Sequence, residues 1–268
     1  MLLAIDSGNT RTKWAVFNDQ GEILHHGVCL NTEIEAIDFL PLTLVYECAI
    51  ISSVAGDQLA AALAKKLTHL GVAIHWLKST AKCGNVLNRY STPENLGTDR
   101  WASLIAAWHI KQASCVVVNA GTAVTIDALS VNNGQAEFIG GMILPGIDLM
   151  LKSLGAATAQ LPNIASKQPT TAGINQQHDI FAKNTIEAMR IGALNAACGA
   201  ILQMLAALSA KCEHAPYIVL SGGDAKRIHD NLSDDVTSRV LIVDNLVLHG
   251  LFLIDKFTST TVRQNGQQ

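Results

Sequence analysis

The residues best equipped for chemistry stand in three short segments, each pairing glycine with polar or charged side chains. The first, Ala4-Ile5-Asp6-Ser7-Gly8-Asn9-Thr10-Arg11-Thr12-Lys13, puts a carboxylate at the end of an apolar run and follows it with a glycine. A tight turn there aims amides and hydroxyls at one small volume, which suits phosphate oxygens. Asp6 could hold Mg2+ directly or through water, and Arg11 or Lys13 could offset charge. The same residues also make an ordinary hairpin turn, and this segment alone does not separate the two readings.

The second segment, Val118-Asn119-Ala120-Gly121-Thr122-Ala123-Val124-Thr125, repeats the pattern, and the third, Val219-Leu220-Ser221-Gly222-Gly223-Asp224, again sets glycines after a β-branched run. Gly222 and Gly223 would let backbone approach a flat ring or ribose closely. Asp99 precedes Trp101, Leu104, Ile105 and Trp108, an apolar stripe at i, i+3, i+4 and i+7, so it lies at a helix N-terminus. By residue type it either caps that helix or does chemistry there. Arg100 is either a surface ion pair or an anion ligand.

Periodicity supplies the elements that must hold these groups. Leu2–Ile5 reads as a buried strand, and Lys13–Phe17 and Glu22–Val28 as two more across an Asn18-Asp19-Gln20-Gly21 turn. Ala49–Ser52 is a strand, and Asp57–Leu70 carries leucines at helical spacing. Cys115–Val118, Val124–Leu129 and Phe138-Ile139 then repeat the opening order. Displacing the first segment by 113 positions lays Asp6 on Asn119, Gly8 on Gly121, Thr12 on Thr125 and Gly21 on Gly134. This points to a duplicated α/β domain, with a first half over 1–114 and a second over 115–268. Pro145–Leu154 and Asn184–Leu208 read as helices; Gly192 and Gly199 in the latter suggest close packing against a neighbour. Residues 160–178 read as a loop and the last ten as frayed.

The 268 residues, 49% hydrophobic and 15% charged, suffice for a full core. A net charge of -3 gives no basic field, so nucleic acid is not expected as a partner. Six scattered cysteines without a Cys-x-x-Cys pair read as reduced, and nine histidines miss metal-ligand spacing. Asp6 breaks the only early apolar run, and no stretch of ~20 apolar residues occurs, so neither signal peptide nor membrane span is expected. The reading is a soluble, cytoplasmic protein.

Across nearly its whole length the sequence resembles the type III pantothenate kinases, of the acetate and sugar kinase, Hsp70 and actin superfamily. The resemblance is carried by Asp6–Lys13, Tyr90–Arg100 (Tyr-Ser-Thr-Pro-Glu-Asn-Leu-Gly-Thr-Asp-Arg), Gly121-Thr122-Ala123, Phe138–Gly146, Asn184-Thr185 and Ser221–Asp224. The Gly-x-Asp-Arg element after Tyr-x-x-Pro is the specific one. The resemblance implies duplicated ribonuclease H-like (actin-like ATPase) domains with a nucleotide cleft between them, and ATP-dependent phosphorylation of pantothenate, the first step of coenzyme A biosynthesis. It implies Asp99 as general base. It places ATP at Asp6, Ser7, Gly8, Asn9, Thr10, Arg11, Thr12, Lys13 and Thr122, and pantothenate at Tyr90, Gly97, Thr98, Asp99, Arg100 and Thr185. Mg2+ with ATP, and a homodimer with the substrate pocket near a subunit boundary, are implied likewise. Many members have aspartate where this chain has Asn119, and use it to bind potassium or ammonium; the neutral side chain here implies weak or absent cation dependence. The family includes a transcription accessory factor in some bacteria, so a non-catalytic regulator on the same scaffold is the alternative function.

Overall fold

The computed structural model describes residues 1–36, 46, 48–157, 161–162 and 180–265. By its contacts the chain forms two compact units: 1–112 with 131–139 and 245–268, and 113–130 with 140–244.

The first unit opens with β1 (Leu2–Ser7), β2 (Arg11–Phe17) and β3 (Ile23–Leu30), joined by short turns as the sequence predicts, then β4 (Cys48–Ser53), α1 (Asp57–His69) and β5 (Ala73–Trp76). These strands form a sheet in the order β3-β2-β1-β4-β5. β1 pairs antiparallel with β2 and parallel with β4, so it is a central strand, buried almost throughout. Leu3, Ile5, Val16, Ala49, Ile51, Leu63 and Leu67 close a core between sheet and α1. Next come β6 (Lys82–Cys83), β7 (Val86–Asn88) and α2 (Thr98–Lys111).

The second unit is built on β8 (Cys115–Ala120), β9 (Ala123–Asn132) and β10 (Gln135–Pro145). α3 (Ile147–Ala157), α4 (Thr185–Ser209), β11 (Tyr217–Ser221), α5 (Ala225–His229), α6 (Asp234–Thr237) and β12 (Val240–Ile242) complete it. Its strands run β10-β9-β8-β11-β12, the strand order of the first unit, with β8 likewise antiparallel to β9 and parallel to β11. Residues 131–139 group with the first unit, where β10 pairs in parallel with β7 through Ala136↔Val86 and Phe138↔Asn88.

α4 drives Met189, Ala193, Leu194, Ala197, Ile201 and Leu205 into the second core, against β8 and β9. It is also the one helix among the described residues long and apolar enough to cross a membrane, but this buried stripe makes it a core helix. Gly192 and Gly199 correct an expectation. Among the described residues a Cβ at either would meet nothing within 4 Å, so these glycines mark the exposed side of α4 and not a contact with another element of the same chain.

α7 (Leu246–Asn265) returns to the first unit and packs on α2 and β1. It is helical to residue 265, so most of the segment expected to fray is ordered by continuation of the helix. The loop expected over 160–178 lies, apart from Leu161 and Pro162, outside the described residues.

Candidate active site

In the first unit the strand registers assemble charged and hydroxyl groups around Asp6. Lys13 is its direct partner on β2 and Ser52 its partner on β4. Directly paired residues of neighbouring strands point to the same face, so carboxylate, ammonium and hydroxyl share one side of the sheet. Burial and the nearby Asp99 carboxylate push the Asp6 pKa up to about 7, with Lys13 pulling it back.

Beyond Asp6 the chain reverses over Gly8–Arg11, closed by a bond from the Gly8 N–H to the Arg11 carbonyl at 3.1 Å. Asn9, Thr10 and Arg11 are exposed, while Ser7 and Thr12 are fully buried. The tip therefore offers backbone and the Arg11 side chain to solvent, with the two hydroxyl residues as its internal frame.

Asp99 stands in the first turn of α2. Gly97 is the N-cap, and the Arg100 N–H donates to Asp99 Oδ1 at 2.8 Å, so one carboxylate oxygen does satisfy an end-of-helix amide. Burial raises the Asp99 pKa, opposed by the Arg100 amide and guanidinium. A Cβ at Gly97 would come within 2.7 Å of Asp99 Oδ1, so any larger residue there would displace the carboxylate. Thr98 Oγ1 shares a 2.8 Å hydrogen bond with Ser52 Oγ, which joins the start of α2 to the strand beside Asp6.

Arg100 is buried, at 5% exposure, which excludes a surface ion pair. Its Nη1 donates to Tyr90 Oη at 3.1 Å, and its guanidinium carbon lies 5.7 Å from the Tyr90 ring centre and 5.8 Å from that of Phe138. Desolvated against a pair of aromatic rings whose centres are 5.0 Å apart, the guanidinium keeps little freedom. The Tyr90–Leu96 segment is tied down in turn. Asn88 accepts from the Tyr90 N–H at 3.1 Å and donates to the Pro93 carbonyl at 3.0 Å, and Ser79 donates to the Leu96 carbonyl at 2.7 Å.

The second unit holds Asn119, Thr122 and Thr185. Asn119 ends β8 opposite Thr125, whose hydroxyl is buried without a hydrogen-bond partner. Gly121 and Thr122 form an exposed turn, with Gly121 N–H donating to the Ala123 carbonyl at 2.9 Å and Gly146 N–H to the Thr122 carbonyl at 2.9 Å. Gly222, at φ +100°, lies where a Cβ would come within 2.3 Å of the Ala120 carbonyl oxygen, so this glycine brings β11's end against β8's end, while a Cβ at Gly223 would meet nothing within 4 Å among the described residues. Thr185 is the exposed first residue of α4, capped by Asn184 Oδ1 accepting from the Glu187 N–H at 2.9 Å.

The first unit thus brings together Asp6–Lys13, Tyr90 and Gly97–Arg100, and adds Ser52, Asn88 and Phe138, which sequence reasoning did not assign to the site. Among the described residues no group of three His, Cys, Asp or Glu could hold a metal by itself. The donors fit Mg2+, which takes one or two carboxylates and completes its shell with phosphate oxygens and water.

The family model for type III pantothenate kinase matches residues 2–207. The chain belongs to the type III pantothenate kinase family. Relatives of that name from Methylobacillus flagellatus and Janthinobacterium sp. are 41% and 40% identical, each over 95% of this chain and 98% and 97% of theirs. Solved structures extend the likeness to the fold. A protein from Sinorhizobium meliloti assigned as a 2-dehydro-3-deoxygalactonokinase superposes with TM-score 0.54 at 15% identity, covering 94% of this chain and 97% of that one. One from Campylobacter jejuni assigned as a Baf family transcriptional activator gives 0.53 at 20% identity, covering 99% and 100%. These identities show the fold alone: two ribonuclease H-like halves of the actin-like ATPase and sugar kinase class, as the matching strand orders of the two units require.

Proposed function

We propose that this chain transfers the γ-phosphoryl group of ATP to the primary hydroxyl of pantothenate, giving 4'-phosphopantothenate, the first step of coenzyme A biosynthesis. The observation that carries the reading is that the Asp99 carboxylate acts on Asp6 while Arg100, the next residue along α2, is held against Tyr90, which gives the first unit a base, a fixed cation and a second carboxylate. Asp99 accepts the hydroxyl proton as the oxygen attacks phosphorus; the new O–P bond forms as the bond to the β-phosphate oxygen breaks and ADP leaves. Its raised pKa makes Asp99 a stronger base than an exposed aspartate. Arg100 binds the pantothenate carboxylate or the transferring phosphate, with Tyr90 fixing its fork. Asp6 holds Mg2+, whose charge neutralises the phosphates. The exposed tip over Gly8–Arg11, with Lys13, binds the phosphate chain, and Ser7 and Thr12 shape it from within.

Gly97, Thr98 and Thr185 are further pantothenate contacts and Thr122 a further ATP contact. At Asn119 the position offers two neutral oxygens, Asn119 Oδ1 and Thr125 Oγ1, so a monovalent cation binds weakly if at all. The protein acts in the cytoplasm as a homodimer; beyond its first turn the exposed side of α4, with Gly192, Ala196, Gly199 and Leu202, carries no charged side chain and is suited to a second copy. The experiment that tests the assignment is ADP release with pantothenate, set beside sugars and acetate, with and without ammonium. Turnover with pantothenate alone supports it. Silence with every acceptor would favour the non-catalytic regulator, which the intact Asp6, Asp99 and Arg100 argue against.

A further inference from the structure

The loop between β1 and β2 is held by more than its own closing bond. Ser7 pairs with Thr12 and Gly8 bonds Arg11, which leaves Asn9 and Thr10 as a two-residue hairpin tip. Such tips favour positive φ at one or both central residues, because that twist matches the flanking strands. Neither Asn9 nor Thr10 has positive φ, and nor does Gly8. The tip is also held from outside the hairpin.

The outside partner is Asn31, the residue just past the end of β3. Its backbone N–H donates to the Thr10 carbonyl at 3.1 Å, its Nδ2 donates to the Gly8 carbonyl at 2.8 Å, and its Oδ1 accepts from the Thr12 hydroxyl at 3.0 Å. One side chain thus grips the loop on both sides of its tip, its amide nitrogen donating and its amide oxygen accepting, two separate atoms with fixed roles. The consequence reaches the exposed side. A trans peptide carries its C=O and the following N–H in opposite directions, so turning the Gly8 carbonyl toward Asn31 turns the Asn9 N–H away from it. The Thr12 hydroxyl, which donates to Asn31 at the shorter distance, also lies within 3.4 Å of Ser7 Oγ, so the two buried hydroxyls share the frame that Asn31 holds.

We infer that Asn31 is a positioning residue for nucleotide binding: it locks the Gly8–Thr10 tip so that the Asn9 amide is presented to a phosphate oxygen before ATP arrives. The inference rests on the reading of this loop as the ATP phosphate site. Asn31 touches no reacting atom; it acts through the loop.

The test is direct binding of ATP and ADP with Mg2+, measured by calorimetry on the full chain, alongside steady-state kinetics. Asn31→Ala removes both side-chain bonds, and Asn31→Asp keeps the acceptor for Thr12 but faces the Gly8 carbonyl with another oxygen. Both should weaken nucleotide binding by about tenfold, from the usual worth of one or two hydrogen bonds, and raise the ATP KM by a similar factor. The KM for pantothenate and kcat should change far less, a split that general loosening of the fold would not produce. Should Asn31→Ala fail to fold, the near-isosteric Asn31→Asp carries the test. Unchanged nucleotide affinity in Asn31→Asp, or parallel losses in both KM values and kcat, would overturn the inference. A wild-type protein that binds no ATP would overturn the functional reading itself, and this inference with it.

Discussion

Asp99 raises the proton affinity of Asp6, although the two lie 93 positions apart in sequence (99 minus 6). Asp6 is brought there by a central strand and Asp99 by the first turn of a helix whose start is bonded to the neighbouring strand through Thr98 and Ser52. The unliganded protein therefore carries a carboxyl group that titrates near neutrality at the position proposed to take Mg2+ and phosphate.

That titration has a sign. The folded-state pKa of Asp6, about 7, lies above the ordinary 3.8, so the folded chain holds a proton that the unfolded chain has lost between those values. Stability falls as pH rises through that window. Asp6→Asn removes the liability, so its melting temperature should exceed that of the parent by a growing margin from pH 5 to 8, levelling off above about 7. A gain on the order of 1 kcal/mol, or roughly 2–4 °C, is expected once solvent screening is allowed for. The same variant should lose most activity. Thermal scans of both proteins at matched ionic strength decide it; a constant margin at all pH values would contradict the coupling.

Removing Asp99 should separate catalysis from binding. Asp99→Asn keeps an oxygen able to accept from the Arg100 amide, so the start of α2 should persist while the base is lost. Turnover should drop by about 10²–10⁴-fold, the usual contribution of a positioned general base, with nucleotide affinity close to that of the parent. Equal loss of both would assign the side chain to the fold.

The hairpin of β1 to β3 and the repeat at Cys115 were legible because turn chemistry and β-branched runs are local signals. Bonds that join distant segments leave no such mark: Ser52 meets Thr98 across 46 positions, and Asn31 meets Gly8 across 23. α7 was missed because Leu246–Ile254 is apolar almost without interruption and shows no helical period. Gly192 and Gly199 misled because a glycine in a helix reports only the absence of a side chain, and here that absence faces outward. Asp99 and Arg100 were legible as a pair, yet the aromatic enclosure of Arg100 by Phe138 required the pairing of β7 with β10, which no sequence period announces.

That enclosure makes Arg100 sensitive to its neighbours. Tyr90→Phe deletes the 3.1 Å bond while keeping the ring, so the guanidinium should lose orientation without losing its site. Hydrogen bonds to charged groups are worth about 1.5–3 kcal/mol when broken, but the retained ring limits the damage, and the pantothenate KM should rise by about tenfold with little change for ATP. Arg100→Lys should do worse, because an ammonium cannot reproduce the planar fork. Initial-rate kinetics with each substrate varied in turn would show whether the effect confines itself to pantothenate.

Asn119 makes the last prediction one of gain rather than loss. The position pairs with Thr125, whose buried hydroxyl has no partner, so two neutral oxygens stand where an added charge would act. Titration with potassium against a large inert cation should show a shallow response in the parent, since dipoles attract a monovalent ion far less than a carboxylate does. Asn119→Asp introduces a unit charge, which at 4 Å from a cation is worth about 1 kcal/mol in water and about 4 in a partly buried setting. The variant should therefore acquire a saturable potassium or ammonium dependence, with half-activation at least several-fold lower in cation concentration than the parent. A parent enzyme that already shows a steep, saturable requirement would mean that backbone and amide oxygens suffice, and that the missing charge is not what sets cation use in this chain.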